Sequence, residues 1–335
     1  MSDIKKNNAL EFKNVSKFYD VNRNLKEIMT GVKPQVKAVE NVSFKIKQGE
    51  SVGIVGESGC GKTTLAKLVL NLLNPTEGKI LYEGIEINKL KKRSEIIDYK
   101  RNLQFVFQNP YDSLNPRFTI KDILLEPLKS LNFEEIKHEE MISNVMKLVK
   151  LKNQDEYLYK YPHELSGGQL QRIVLARALI INPKFVVADE PVSMLDVSVR
   201  AGILNAFNEA KSRMNFTAIY ISHDLALVKY VCERTIVMYL GSIVEDGPTS
   251  EVINNPQHPY TKALVKAVPV PHVDQSHEPL PIKGNIPDST ILHKGCKFSD
   301  RCINPSNDCK EGNIPMGLIE IKPGHWFDQC CINCV

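Results

Sequence analysis

The segment Gly56-Glu-Ser-Gly-Cys-Gly-Lys-Thr63 constrains this chain more than any other. It follows the short apolar run Ser51–Val55 and opens a stretch of helical spacing, Lys62–Leu73, that Asn74-Pro75 closes. Strand, glycine-rich turn and helix in that order are the context that a phosphate loop G-x-x-x-x-G-K-[ST] requires. The glycines Gly56, Gly59 and Gly61 let the backbone curl so that successive N–H groups point at phosphate oxygens. The helix N-terminus beyond adds the positive end of a dipole. Lys62 is expected to reach the β- and γ-phosphates, and the Thr63 hydroxyl to ligate Mg²⁺. Glu57, Ser58, Cys60 and Thr64 complete the expected nucleotide-binding stretch. The competing reading, a glycine turn that binds nothing, does not explain why strand, lysine and hydroxyl all accompany it.

The chain is 335 residues long, which suggests two domains as a prior. Hydrophobic residues make up 42% and charged residues 24%, which argues against a wholly disordered chain. Phe185–Ala188 and Thr217–Ile221 read as further short strands, with helical patterns between them. That alternation predicts βαβ units around a mainly parallel sheet. Residues 268–293 carry Pro269, Pro271, Pro279, Pro281 and Pro287, too dense for a helix or a central strand, so an extended linker is expected. No apolar stretch reaches the roughly 18–20 residues a membrane helix needs, and no secretory signal is visible, so a cytosolic chain is expected. The net charge of +4 is too small to argue for nucleic acid. The basic run Lys89-Leu-Lys-Lys-Arg93 lacks interleaved aromatics and reads as a solvated helix face.

Three more pieces stand in order along the chain. Leu165-Ser166-Gly167-Gly168-Gln169 precedes the helical run Leu170–Ile181; Phe185-Val-Val-Ala-Asp189-Glu190 is an apolar strand ending in two acids; and His223 follows the apolar run Ala218–Ile221. Over residues 10–267 the chain resembles the ATP-binding subunits of ATP-binding-cassette (ABC) transporters. The resemblance implies an α/β P-loop NTPase cassette with a mainly parallel core sheet, an antiparallel β subdomain and a helical subdomain. It also implies roles for single residues. Asp189 matches the acid that holds Mg²⁺, and Glu190 the catalytic glutamate that polarises the attacking water. Gln108 is similar to the glutamine that senses Mg²⁺ and the membrane subunit. His223 is similar to the switch histidine on the γ-phosphate, Asp196 to the D-loop aspartate, and Tyr19 to the aromatic that stacks on adenine. Met194 stands where the family usually has alanine. Alone, Glu190 reads as a solvated acid and His223 as a core histidine; in register with the other motifs those readings weaken. Ser166-Gly-Gly opening a helix is a second anion site, which one chain does not need in cis. The family's solution is a head-to-tail dimer in which residues 165–169 close over nucleotide held by the partner.

Further segments resemble the oligopeptide/dipeptide importers within that family: Asn109–Arg117, Leu195-Asp-Val-Ser-Val199 and Gln257-His-Pro-Tyr-Thr261. The insert Asp20–Lys37 is like that of the second of two paired ATPases. Such subunits usually work as a heterodimer on the cytoplasmic side of the membrane, beneath two permeases fed by an extracellular binding protein. Importers of nickel and other metal complexes share much of this pattern. A soluble ABC ATPase acting away from transport is the rival class.

Six of the eight cysteines crowd between Cys296 and Cys334. In a cytosolic chain such a cluster points to metal or redox chemistry before disulfides. Cys296, Cys302 and Cys309, with Phe298 and Arg301 inside, also resemble the importer branch, whose C-terminal extension can hold a [4Fe–4S] cluster. Thiolates suit iron–sulfur clusters and zinc alike. Cys330 is the favoured fourth ligand, with Cys331 and Cys334 nearby and His325 a poorer candidate. The Cys60 side chain, inside the phosphate loop, need do nothing, and Cys232 reads as a helix-packing residue. The expected organisation is thus a cassette over 1–267, a linker over 268–293 and a Cys-rich extension over 294–335.

Overall fold

The computed structural model describes residues 8–21, 35–151, 153–268, 280–287 and 293–329. The chain divides into two units. One comprises Met1–Ala9, Ile46–Ser51 and Lys89–Ile221; the other comprises Leu10–Lys45, Val52–Asn88 and Ser222–Val335.

The first unit is built on three parallel strands, Leu103–Val106, Phe185–Asp189 and Thr217–Ser222, with Phe185 in register with both Leu103 and Thr217. Phe185–Asp189 and Thr217–Ser222 are buried along their whole length, which explains why they read as continuous apolar runs and not as alternation. Helices Ile120–Ser130, His138–Leu148, Gly167–Leu179 and Val197–Met214 are among the helices of this unit. Gly167–Leu179 buries Leu170, Ile173, Val174 and Leu175 among other residues, the stripe that its sequence spacing predicts.

The second unit holds two sheets. An antiparallel sheet has the order Gln35–Lys47, Asn8–Asp20, Glu77–Tyr82, Ile85–Glu86. In the other, Ser51–Val55 pairs parallel with Arg234–Tyr239, with Val52 opposite Arg234. Ser242–Pro248 pairs antiparallel with Arg234–Tyr239. The C-terminal hairpin Leu318–Lys322 and His325–Asp328 then adds antiparallel to Ser242–Pro248, with Glu245 opposite Phe327.

Some boundaries differ from the sequence expectation. The helix that opens at Lys62 ends at Val69 and not at Leu73, because Asn71 turns left-handed at φ 54° before the Asn-Pro pair is reached. Lys91 and Lys92 are exposed, and Lys92 is the N-cap of the helix Arg93–Asn102, so most of the basic run lies ahead of that helix instead of forming one of its faces. Among the described residues, no helix is long and apolar enough to cross a membrane. The proposed linker lies largely outside the described residues; its described stretch, 280–287, has neither helix nor strand.

Candidate nucleotide-binding site

The loop between Ser51–Val55 and the helix Lys62–Val69 has the backbone its glycines forecast. Gly61 sits at φ 104°, and a Cβ there would meet Ala38 O at 2.1 Å. A Cβ on Gly56 would meet Met238 O at 2.3 Å. No L side chain fits at either place without moving backbone. Lys62 is buried, and its Nζ donates to the carbonyls of Gly56 at 2.7 Å and Glu57 at 3.0 Å, which arches the loop over it. Ser58, Gly59 and Thr63 are exposed. Gly61 has no side chain to cap the helix, and the first turn carries no acidic residue. An anion would meet uncancelled helix dipole there, so the residues fit a bound phosphate chain. Cys60 is buried with its thiol pKa raised by that burial, so it packs and is not poised to react.

In the same unit, His223 is exposed just beyond the strand Thr217–Ser222, which rules out the core-histidine reading. Asp224 caps the helix that follows by accepting from Ala226 N at 2.8 Å. Tyr19 is 38% exposed near the end of its strand, with Lys17 Nζ 5.5 Å from its ring centre. The neighbouring Phe18 ring instead has Lys37 Nζ at 5.8 Å.

The first unit carries the acids and the segment 165–169. Asp189 is buried at the end of its strand. Glu190 then turns left-handed at φ 46°, with its N–H donating to Ile221 O at 2.9 Å. That conformation is unusual for a non-glycine residue and breaks the strand's alternation. Gln108 Nε2 donates to Glu190 Oε2 at 3.1 Å and to Ser193 Oγ at 3.4 Å. Gln108 and Glu190 thus meet although 82 residues separate them.

Ser166 caps the helix Gly167–Leu179: its Oγ accepts from Gln169 N at 3.4 Å while its own N–H donates to Gln169 Oε1 at 2.9 Å. This is a reciprocal capping box. Leu165 is buried ahead of it. A Cβ on Gly168 would lie 2.4 Å from Val199 Cγ1, and one on Gly167 would lie 3.3 Å from Leu195 Cδ2. The two glycines therefore let the segment close onto Leu195 and Val199. Asp196 is the N-cap residue of Val197–Met214, and its carbonyl accepts from Val199 and Arg200.

Three of the described cysteines, Cys296, Cys302 and Cys309, lie near one another in the second unit. Cys296, Cys302 and Cys309 are buried, and none is in a disulfide. Cys296 N donates to Cys309 O at 2.8 Å, and Ser306 Oγ donates to Cys309 Sγ at 3.0 Å. Burial raises the Cys302 thiol pKa, with Cys296 and Cys309 adding to the rise. Among the described residues no three His, Cys, Asp or Glu side chains are gathered closely enough to hold a metal ion. Cys330, Cys331 and Cys334 lie outside the described residues. His325 is committed elsewhere, with its Nε2 2.8 Å from Glu245 Oε1.

Sequence reasoning missed several residues that shape the loop. His258, given above only as part of the segment 257–261, is buried and caps the helix Pro259–Lys266 through Nδ1, which accepts from Tyr260 N at 3.1 Å. Tyr260 Oη accepts from Glu57 N at 2.8 Å, and Arg301 binds the Glu57 carboxylate. A His-Pro pair at a helix start was the available signal for the first; nothing local marks the other two.

Fold and phosphate loop together define an ABC-type ATPase cassette. The ABC transporter family model matches residues 39–193, and the model for the C-terminal region of oligopeptide/dipeptide transporters matches residues 244–309. The oligopeptide transport ATP-binding protein AppF of Bacillus subtilis is 40% identical over 329 residues, which span 97% of this chain and 98% of that one. The chain belongs to the ATP-binding subunits of the oligopeptide/dipeptide ABC transporters. Among solved structures, the dimeric ATP-binding cassette MJ0796 in a post-hydrolysis state with ADP and Pi is 27% identical, with TM-score 0.62, covering 72% of this chain and 98% of that chain. The cassette cbiO1 of Clostridium perfringens has the same fold at 24% identity and TM-score 0.62, over 74% of this chain and 92% of that one.

Proposed function

We propose that this chain drives peptide import by hydrolysing ATP as one half of a head-to-tail cassette dimer. The observation that carries the reading is the phosphate loop: a buried lysine under an arch of carbonyls, a helix start without a protein cap, and an exposed Thr63. Lys62 and the loop N–H groups would hold the phosphates. Thr63, Gln108 and Asp189 are the residues proposed for Mg²⁺. The metal, when bound, neutralises charge that develops on the phosphoryl oxygens. Glu190 would orient and polarise the attacking water, held ready by Gln108 and by its left-handed backbone. His223 would contact the γ-phosphate, and Tyr19 would stack on the base. Residues 165–169 would close over the partner's nucleotide, with Asp196 at the dimer seam.

The oligopeptide role of AppF supports peptides as the cargo. The partners proposed are a second, homologous ATPase, two membrane permeases and an extracellular binding protein, with the chain on the cytoplasmic face of the membrane. The organisation proposed is a cassette over 1–267, a linker over 268–293 and an extension over 294–335. For the extension we infer a [4Fe–4S] cluster on Cys296, Cys302, Cys309 and Cys330, with zinc as the alternative. Three buried thiols in one region support it; the described residues alone do not assemble a ligand set.

Glu190→Gln tests the core of this reading. Turnover should fall by about 10²–10³-fold, the scale of losing one electrostatic catalytic group, while ATP binding persists and light scattering shows ATP-dependent association with the partner ATPase. Unchanged hydrolysis overturns the catalytic assignment. Recovery of permeases with the tagged chain from detergent extracts tests the transport role, and a purely soluble complex counts against it.

A further inference from the structure

The far end of the chain braces the phosphate loop from behind. Glu57 follows Gly56 directly, and three of its polar groups are engaged at once. Its N–H donates to Tyr260 Oη at 2.8 Å, its carbonyl accepts from Lys62 Nζ at 3.0 Å, and its carboxylate takes Arg301 Nη1 at 2.5 Å and Nη2 at 3.0 Å. Arg301 lies between Cys296 and Cys302 in sequence, yet it is only 5% exposed and reaches back 244 residues to make this fork. Its guanidinium also lies 5.8 Å from the ring centre of Tyr239. The Glu57 contact is the leading reason its pKa is raised further above the ordinary arginine value.

Neighbouring residues make the same connection. Phe298 packs edge-to-face on Tyr239 at 5.3 Å and lies 5.7 Å from Tyr260. Lys297 pairs with Glu40 at 2.6 Å and donates to Leu240 O and Ser242 Oγ, both at 2.7 Å. Gly241 N in turn donates to Cys60 O at 3.0 Å. Residues 297–301 thus reach the loop at Glu57 directly and at Cys60 through the turn at Leu240-Gly241. A bidentate, largely desolvated guanidinium–carboxylate pair fixes direction as well as distance.

We propose that Arg301 is a positioning residue for ATP binding. By clamping the Glu57 carboxylate it holds the first peptide of the phosphate loop in the orientation that Lys62 and the loop N–H groups require. Affinity for ATP therefore depends on a side chain supplied by the Cys-rich extension. The proposal rests on the reading of this loop as the ATP site.

Equilibrium binding of Mg-ATP to the full chain, with steady-state hydrolysis alongside, tests it. Lys62→Ala serves as the reference, and if it binds ATP like wild type the site reading itself falls. With that reference lost as expected, Arg301→Ala and Glu57→Gln should each weaken ATP binding about tenfold, the scale of one charged hydrogen bond. KM should rise in step while kcat stays within about twofold, the pattern of lost uniform binding. The double variant should be no worse than either single one, since both remove the same contact. Arg301→Lys, which keeps the charge and loses the fork, should fall between. Glu57→Gln changes no residue of the extension, so it decides the matter if Arg301→Ala fails to fold. Wild-type affinity in Glu57→Gln, additive losses in the double variant, or a fall in kcat at unchanged KM would each overturn the proposal.

Discussion

His325 Nε2 lies 2.8 Å from Glu245 Oε1, and both side chains are fully buried. Glu245 also accepts from the backbone N–H groups of Gln257 and His258, at 2.9 Å each. One carboxylate therefore ties together the strand Ser242–Pro248, the start of the helix Pro259–Lys266 and the C-terminal hairpin. Removing the imidazole leaves that carboxylate short of a donor and opens a hole beside it. His325→Ala should cost about 2–4 kcal/mol in chemical denaturation. An unchanged midpoint would mean that the hairpin adds nothing to stability.

A second histidine should make stability depend on pH. Burial, with Lys262 adding, lowers the His258 pKa to about 3 from 6.5. The folded state thus binds this proton less well than the unfolded state does. The stability it contributes is complete above about pH 6.5 and is lost as pH falls from there toward 3. Each pH unit within that window removes about 1.4 kcal/mol, so about 2 kcal/mol should be gone near pH 5. His258→Asn keeps an N-capping oxygen and removes the titration. Its melting temperature should fall less between neutral and acidic buffer than that of wild type; parallel slopes would refute the assignment.

Closeness at the signature segment gives a third expectation. Gly168→Ala puts a Cβ 2.4 Å from Val199 Cγ1, and valine has little rotamer freedom with which to yield. A loss of about 1–3 kcal/mol should follow, the usual range for overpacking. Adding Val199→Ala should recover most of it. Thermal unfolding of the four proteins in the cycle reads this directly, and strict additivity would mean that the contact is not the cause.

For the cysteines, the measurement is elemental. Chain purified without oxygen should carry about four iron and four sulfide per molecule, and Cys302→Ser should lose them. Colourless protein with stoichiometric zinc would replace the cluster with the alternative ion.

What could be read from the sequence divides by range. The phosphate loop was legible because strand, turn and helix follow one another within a few residues. Asp189 and Glu190 were legible as a pair at a strand end, but the left-handed turn at Glu190 was not: it is set by the bond from its N–H to Ile221. The helix after Lys62 stopped early because a single asparagine preferred a left-handed conformation to one more turn. Arg301 was visible only as a residue between two cysteines. Its partner stands 244 positions away, and no local pattern encodes a contact of that span. His258 was hidden for another reason, since a polar residue before proline reads as a turn until the carboxylate beneath it is known.

The strand His325–Asp328 has one further consequence. Until it arrives, Ser242–Pro248 presents an open edge, with Glu245 and Asp246 lacking their partners Phe327 and Trp326. Open edges invite pairing with other chains. Because synthesis runs from the N-terminus, that edge stays uncovered until residues 325–328 have been made. A chain lacking residues 318–328 would carry the phosphate loop and still present the edge of Ser242–Pro248. The hairpin thus shields that edge from other chains, independently of any nucleotide or metal.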